Sequence, residues 1–180
     1  MFSLEIVNFD KDISEFDPAQ TRSVPALRTA LKVLELDGND AMGRFYESIG
    51  TRYFQGSEPL ESPETIEKSL ADAGLEPGRH AEAIADDTTW TTLLADHQDV
   101  VGGHGAFGVP TICLDGGDGP GIFGPVISKV PDTIEDAVEL WRHVSWLTRN
   151  TNFAELKRDR LEPDLPEYLE ANARRKAAGN

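Results

Sequence analysis

Cysteine is scarce in this sequence of 180 residues, which contains only Cys113. A single thiol cannot close an internal disulfide, so a disulfide-stabilised fold is excluded. It also cannot form a two-cysteine redox couple by itself, and the chain has no Cys-x-x-Cys motif. Cys113 alternates with Ile112 in an apolar segment, which is the pattern of a buried, unreactive thiol.

Long hydrophobic runs and basic clusters are missing as well. No segment is long and apolar enough to span a bilayer, and the first residues lack the basic and apolar regions of a secretory signal. Acidic residues outnumber basic ones by 32 to 17, which gives a formal net charge of -15. Like charges repel, so neither nucleic acid nor an anionic membrane is an expected partner. We expect a cytoplasmic protein with an acidic, solvated surface.

Histidine is rare too, and the four that occur show no metal-ligand spacing with one another or with carboxylates. The carboxylates are scattered, and no pair stands out for acid–base catalysis. We therefore expect no metal site, no bound cofactor and no catalytic residue within this chain. His97 lies on the apolar side of a predicted helix, where an imidazole is either packed into the core or exposed to a groove.

Residues 24–102 have the pattern of a helical block. Ser23 caps a first amphipathic helix that ends at Gly38, and a second helix follows. Ser62 with Pro63 is a clear signal for the start of another. Further along, Thr88 opens a helix with Trp90, Leu93, Leu94, His97 and Val101 on one side.

Short strands flank this block. Residues 2–8 alternate around Leu4 and Ile6 and predict a strand. Residues 109–114 predict a second strand, joined through the turn 115–121 to a hairpin partner that begins at Ile122.

The C-terminal part begins with a helix. A capping pattern at 131–135 predicts its start, and its apolar face contains Ile134, Val138 and Trp141. Residues 161–180 form a polar tail, and about the last ten are expected to be frayed.

Pro110 opens the strand at 109–114, and two interpretations of it follow from the residues alone. Proline lacks an amide hydrogen, so it is common at a strand start, where it leaves a backbone edge open. Alternatively the Val109–Pro110 bond is cis, which turns the backbone of Val109 toward solvent.

Several segments resemble one known family. Residues 105–111 (Gly-Ala-Phe-Gly-Val-Pro-Thr) are similar to the segment before the cis-proline strand of DsbA-type thioredoxin-like proteins. Residues 122–131 (Ile-Phe-Gly-Pro-Val-Ile-Ser-Lys-Val-Pro) resemble the hairpin strand and loop of the actinobacterial mycothiol-dependent nitroreductases, a branch of that family. The resemblance extends to 1–4, 68–75, 153–160 and Glu162-Pro163, and so covers nearly the whole chain.

The resemblance implies an α/β fold of the thioredoxin-like, DsbA type with a helical insertion domain. It divides the chain into a partial thioredoxin-like domain (1–23 and 103–160), the inserted helical domain (24–102) and the polar tail (161–180). It also favours a cis peptide bond before Pro110. Because Met1 aligns inside the family's second strand, the resemblance implies that the first strand and helix are absent.

A thiol-dependent reductase follows from the same resemblance. Family members reduce disulfides or nitro compounds with a low-molecular-weight thiol, mycothiol or glutathione, as co-substrate. The residues expected to bind this thiol or disulfide substrate are Val109, Pro110 and Thr111 of the proline loop, with Trp90 and His97 lining a groove. The sequence gives no expectation for the oligomeric state.

The departure from the family is the missing Cys-Pro-x-Cys, which leaves three hypotheses. In the first, the cysteine pair is encoded just before Met1 of a thiol-disulfide oxidoreductase. In the second, the chain is a truncated, non-catalytic binding module that retains the proline groove. In the third, the protein resembles kappa-class glutathione transferases or isomerases, in which serine replaces the first cysteine.

Overall fold

The computed structural model describes residues 1–159, 161–162 and 164–177. Backbone contacts divide the chain into two compact units. The first comprises Met1–His97 and the C-terminal residues from Pro166 onward, and the second comprises Gln98–Leu165.

The first unit is helical in its described residues. Two single 3-10 turns (Ile13–Glu15 and Pro18–Gln20) follow the first short helix. Its helices are α1 (Leu4–Val7), α2 (Val24–Asp37), α3 (Asn39–Phe54), α4 (Pro63–Asp72), α5 (Arg79–Ala85), the first part of α6 (Asp87–His104) and α8 (Pro166–Ala177).

Local signals determine where several of these helices begin and end. Proline occupies the first turn of α2 and of α4, where its missing amide hydrogen costs nothing. Gly38 separates α2 from α3 with a φ of 85°, a conformation that suits glycine because it has no Cβ. The predicted starts at Ser23 and Ser62 and the predicted end at Gly38 are confirmed.

The main hydrophobic core lies where α2, α3 and α4 pack together. Phe45 of α3 and the α4 residues Ile66 and Leu70 are almost fully buried, as is Val33 of α2. A smaller cluster joins α2 to α6 through Val24, Leu31 and Leu93. Burial of such side chains stabilises the fold by about 1.5–3 kcal/mol each.

A buried arginine fixes the end of α5 against α2. Arg28 is only 7% exposed, and its guanidinium donates hydrogen bonds to the carbonyls of Ala83, Ile84 and Asp86 and to the hydroxyl of Thr89. The last carbonyls of a helix have no intrahelical partner, so these bonds satisfy groups that would otherwise be buried alone.

The predicted strand at residues 2–8 is wrong, because the chain forms the one-turn helix α1 there. The Ser3 hydroxyl caps this helix by accepting a hydrogen bond from the Ile6 amide. Ile6 is buried, whereas Leu4 is 43% exposed. The two apolar residues therefore do not share one face as the alternation suggested.

The prediction of fraying in about the last ten residues is wrong for residues 171–177, because they belong to helix α8 (Pro166–Ala177). Ala171 is fully buried, and the Arg174 guanidinium donates hydrogen bonds to the Gln55 carbonyl and the Ser57 hydroxyl. Arg175 reaches the Tyr53 carbonyl and lies over the Tyr53 ring, 4.5 Å from its centroid. Predictions at Arg160, at Pro163 and beyond Ala177 fall outside the described residues.

The second unit contains an antiparallel hairpin and a long helix. Strands β1 (Thr111–Cys113) and β2 (Gly121–Phe123) pair with Ile112 opposite Ile122. The predicted hairpin is confirmed, although β1 is shorter than the predicted strand 109–114.

Helix α7 (Ile134–Arg149) begins where the capping pattern predicted, with the Thr133 hydroxyl accepting a hydrogen bond from the Asp136 amide. The apolar face of α7 is largely exposed. Ile134 is 77% exposed, Val138 42% and Trp141 50%. Thr148 is the only buried residue of α7.

The described chain is thus mostly helical with a small two-stranded sheet, which is consistent with a thioredoxin-like α/β fold. Backbone contacts group 1–23 with the helical unit. The division into a partial thioredoxin-like domain, 1–23 with 103–160, and an inserted helical domain stays a prediction.

Candidate functional site

The segment Gly108–Thr111 follows α6, which ends at His104, and leads into β1, of which Thr111 is the first residue. The Val109–Pro110 peptide bond in it is cis. The Thr111 hydroxyl donates a hydrogen bond to the Gly108 carbonyl at 2.8 Å, and the Gly124 amide donates one to the Pro110 carbonyl, also at 2.8 Å. These two bonds fix the backbone on either side of Val109.

Val109 differs from its neighbours in this segment because its backbone is not hydrogen-bonded in the described part of the chain. It is 53% exposed, and within the described residues its amide and carbonyl form no hydrogen bond. A backbone donor and acceptor held in place but unpaired are free to bind an extended, peptide-like ligand.

An aromatic pair lies beside this backbone. The rings of Phe107 and Phe123 have centroids 4.8 Å apart with an angle of 30° between their planes. Phe107 is 66% exposed. A Cβ on Gly108 would lie 3.2 Å from Phe123 Cε2, so the absence of a side chain at Gly108 lets the Phe123 ring approach the loop.

Cys113 lies in β1, two residues after Thr111, and is partly buried. Burial raises the pKa of its thiol, and the negative charge of Asp99 raises it further. A raised pKa reduces the thiolate fraction, and the thiolate is the nucleophilic form. Cys113 is therefore poorly suited to attack a disulfide.

Trp90 belongs to the first unit and is stacked within it. Its ring is parallel to that of Phe16, with an interplanar angle of 1° and centroids 5.6 Å apart. Trp90 also packs against the cluster of Val24, Leu31 and Leu93. One face of the indole is therefore occupied by Phe16.

His97 is buried in the first unit, at 5% exposure. Its Nδ1 accepts a hydrogen bond from the Ser3 amide at 3.3 Å, and its ring stacks on Phe2 with centroids 5.0 Å apart. Burial lowers the pKa of the imidazole. Of the two interpretations open for His97, these contacts favour the packed imidazole.

The structure therefore gives the five predicted site residues different surroundings. Val109, Pro110 and Thr111 are contiguous and form the exposed loop, while Trp90 and His97 are engaged with Phe16 and Phe2. Their assignment to substrate binding stays a prediction.

Sequence reasoning missed Phe107 as a site residue. The available signal was a large aromatic side chain within the glycine-rich run 102–108, where the chain offers little to cover it. An exposed phenylalanine beside a functional loop is a candidate for ligand contact.

Among the described residues, no group of three or more His, Cys, Asp or Glu side chains is arranged to hold a metal ion. None of the described helices combines the length and apolarity needed to cross a bilayer.

A comparison with curated proteins finds Rv2286c of Mycobacterium tuberculosis, described as an uncharacterized protein. It is 33% identical to this chain over 125 residues, which is 69% of this chain and 52% of Rv2286c. The chain thus spans about half the length of the curated relative that it matches.

A family model gives a broader match. Residues 1–158 match the Rv2466c-like model, described as mycothiol-dependent nitroreductase Rv2466c. This match includes residues of both compact units, with helices α1–α5 of the first and the Gly108–Thr111 loop of the second. The chain therefore belongs to the Rv2466c-like family of mycothiol-dependent nitroreductases.

Proposed function

We propose that this chain supplies the substrate-binding part of a thioredoxin-like, DsbA-type reductase that uses mycothiol. The observation that carries the proposal is Val109, an exposed residue whose amide and carbonyl form no hydrogen bond among the described residues, although its neighbours on both sides do. The family match supports the mycothiol-dependent class at a coarse level.

In the proposed complex, the Val109 amide and carbonyl pair with a peptide-like group next to the sulfur of the thiol or disulfide substrate. Such a pairing orients the substrate without a charged side chain. It also makes the identity of the Val109 side chain secondary, because both hydrogen bonds come from the backbone. Thr111 contributes by holding the Gly108 carbonyl, which keeps the loop in shape.

We assign the nucleophile of the whole protein to a Cys-x-x-Cys pair outside the present chain. In the proposed exchange, its thiolate attacks one sulfur of the bound disulfide. The new sulfur–sulfur bond forms as the old one breaks, and the displaced sulfur leaves as a thiolate. The raised pKa of Cys113 supports assigning this role elsewhere.

Trp90 and His97 remain proposed groove residues with less support than the loop. Their rings already stack on Phe16 and Phe2. In this proposal they act mainly by stabilising the N-terminal residues against α6, and any ligand contact comes from the edge of the Trp90 ring.

The test is a heteronuclear NMR titration of the 180-residue chain with the S-methyl derivative of mycothiol, which cannot exchange. We expect the Val109 amide resonance to shift most, with smaller changes at Gly108 and Thr111. Val109→Pro removes the amide hydrogen and weakens binding, whereas Val109→Thr retains it and binds as the wild type does.

A ligand that shifts resonances elsewhere but leaves Val109 unchanged would contradict the proposal. So would equal affinities of Val109→Pro and Val109→Thr. The chemical-shift dispersion of the other amide resonances is the check that each Val109 variant is folded.

A further inference from the structure

Phe107 is an exposed aromatic side chain two residues before Val109, and its ring packs on the partly buried ring of Phe123. Their rings are in contact, with centroids 4.8 Å apart, and Phe107 is 66% exposed although it is a large apolar side chain. Exposed apolar groups adjoining a polar recognition element are typical of ligand sites. Gly108 permits this arrangement, because any Cβ there would crowd Phe123.

The charges near this surface limit what it can bind. The chain carries a formal charge of -15, yet residues 105–114 contain no acidic or basic side chain. A charged ligand would gain no ion pair from this segment. An uncharged, flat ring is the group that complements two phenylalanines, through offset or edge-to-face stacking.

We propose that Phe107 is a specificity-determining residue that selects substrates carrying an aromatic group next to the reacting sulfur. The inference rests on the proposed function, since it takes the Val109 backbone to bind the polar part of the same substrate. Phe107 supplies the contact to the ring, and the Phe123 ring supports it from the side, with the two centroids 4.8 Å apart.

The experiment uses two capped cysteines that differ only in the group on sulfur, benzyl or cyclohexylmethyl, each bearing an N-acetyl and an N-methylamide group. Both probes contain the peptide-like part that the Val109 backbone would bind. NMR titration of the full chain measures their affinities and the Val109 amide shift together. We expect the benzyl probe to bind roughly 3- to 10-fold more tightly, as an aromatic contact predicts.

Variants separate the ring contact from the backbone contact. Phe107→Ala and Phe107→Leu should both abolish the preference for the benzyl probe while leaving the Val109 shift in place. Tyr46→Ala is the matched control, because Tyr46 is an aromatic residue of the first unit, 71% exposed. It should keep the preference unchanged.

The outcomes distinguish the two proposals. Equal affinities of the probes with a shifted Val109 amide overturn the role of Phe107 and leave the proposed function standing. An unchanged Val109 amide, or no binding of either probe, overturns both. Tighter binding of an S-aminoethyl probe than of the benzyl probe would also overturn the aromatic selection, because the rings would then act through cation–π attraction.

Discussion

Arg149 at the end of α7 forms a bidentate ion pair with Asp115 in the connection between β1 and β2. Arg149 Nη1 lies 2.8 Å from Asp115 Oδ2, and Nη2 lies 2.7 Å from Oδ1. The hydrogen bonds from Arg149 lower the pKa of the Asp115 carboxyl. This pair links the hairpin that follows the Val109 loop to the long helix of the same unit.

Arg149→Lys should loosen the hairpin, because an ammonium group cannot reproduce two parallel hydrogen bonds. We expect faster hydrogen exchange at the Ile112 and Ile122 amides. Arg142→Lys is the control, since Arg142 pairs with Glu139 on the exposed surface of α7. Equal exchange rates in Arg149→Lys and Arg142→Lys would contradict the link.

The same ion pair should depend on pH. Because the folded-state pKa of Asp115 is lowered, the contribution of the pair to stability is present at neutral pH and is lost as the pH falls through that pKa.

Gly121→Ala should destabilise the second unit. A Cβ at Gly121 would lie 2.9 Å from His104 Cβ, so the helix end or the strand must shift. Overpacking of this kind costs about 1–3 kcal/mol in the free energy of unfolding.

The matched control for that substitution is Gly102→Ala near the end of α6, where a Cβ meets nothing within 4 Å. It should stabilise the chain by about 0.4–1 kcal/mol, because alanine reduces the entropy of the unfolded state. Urea denaturation measures both changes. Equal effects of the two alanines would show that the contact with His104 has no cost.

His97 should make the stability of the chain depend on pH in the mildly acidic range. Burial lowers its pKa in the folded state, so the unfolded chain binds the proton more readily. The contribution of the neutral ring is therefore present above an unfolded-state pKa of about 6.5 and is lost as the pH falls below it. Protonation at Nδ1 would also break the hydrogen bond from the Ser3 amide.

The measurement is the urea midpoint between about pH 8 and pH 5.5, where histidine titrates. His97→Gln should show a smaller decrease than the wild type. His143→Gln controls for the substitution itself, because it makes the same change at a side chain that is 73% exposed. An identical pH profile for His97→Gln and the wild type would refute the assignment.

Cys113 should be dispensable for ligand binding and slow to react. Cys113→Ser is expected to bind the S-methyl probe as the wild type does, because the proposed contacts come from the Val109 backbone. The wild-type thiol should be alkylated more slowly than free cysteine near pH 8, about the pH at which an ordinary thiol begins to ionise. Faster alkylation than free cysteine would point to an activated thiol and contradict the raised pKa.

The helical part of the fold was predictable because its signals are local. Proline in a first turn, glycine between helices and a capping threonine all act within a few residues, and each occurs where a helix boundary lies. The element at residues 2–8 was not predictable from its alternation. Two apolar residues at a spacing of two fit a strand as well as a single helical turn, and the Ser3 cap decides between them.

The site was only partly predictable. From local sequence alone Pro110 was compatible with an ordinary strand start, and the cis bond before it came from the resemblance to a family. The contacts of Trp90 and His97 depend on Phe16 and Phe2, which are distant in sequence, so a helical pattern could not identify them. The exposure of Phe107 depends in the same way on what the rest of the chain leaves uncovered.

The exposed apolar side of α7 has a consequence for how the protein behaves in solution. The exposed apolar residues on this side of the helix are Ile134, Val138 and Trp141. The chain also has a formal charge of -15, so copies of it repel one another. That repulsion acts over about 10 Å at 0.1 M salt and only about 3 Å at 1 M. We therefore expect the chain to be best dispersed in dilute buffer and to self-associate more readily as the salt concentration rises.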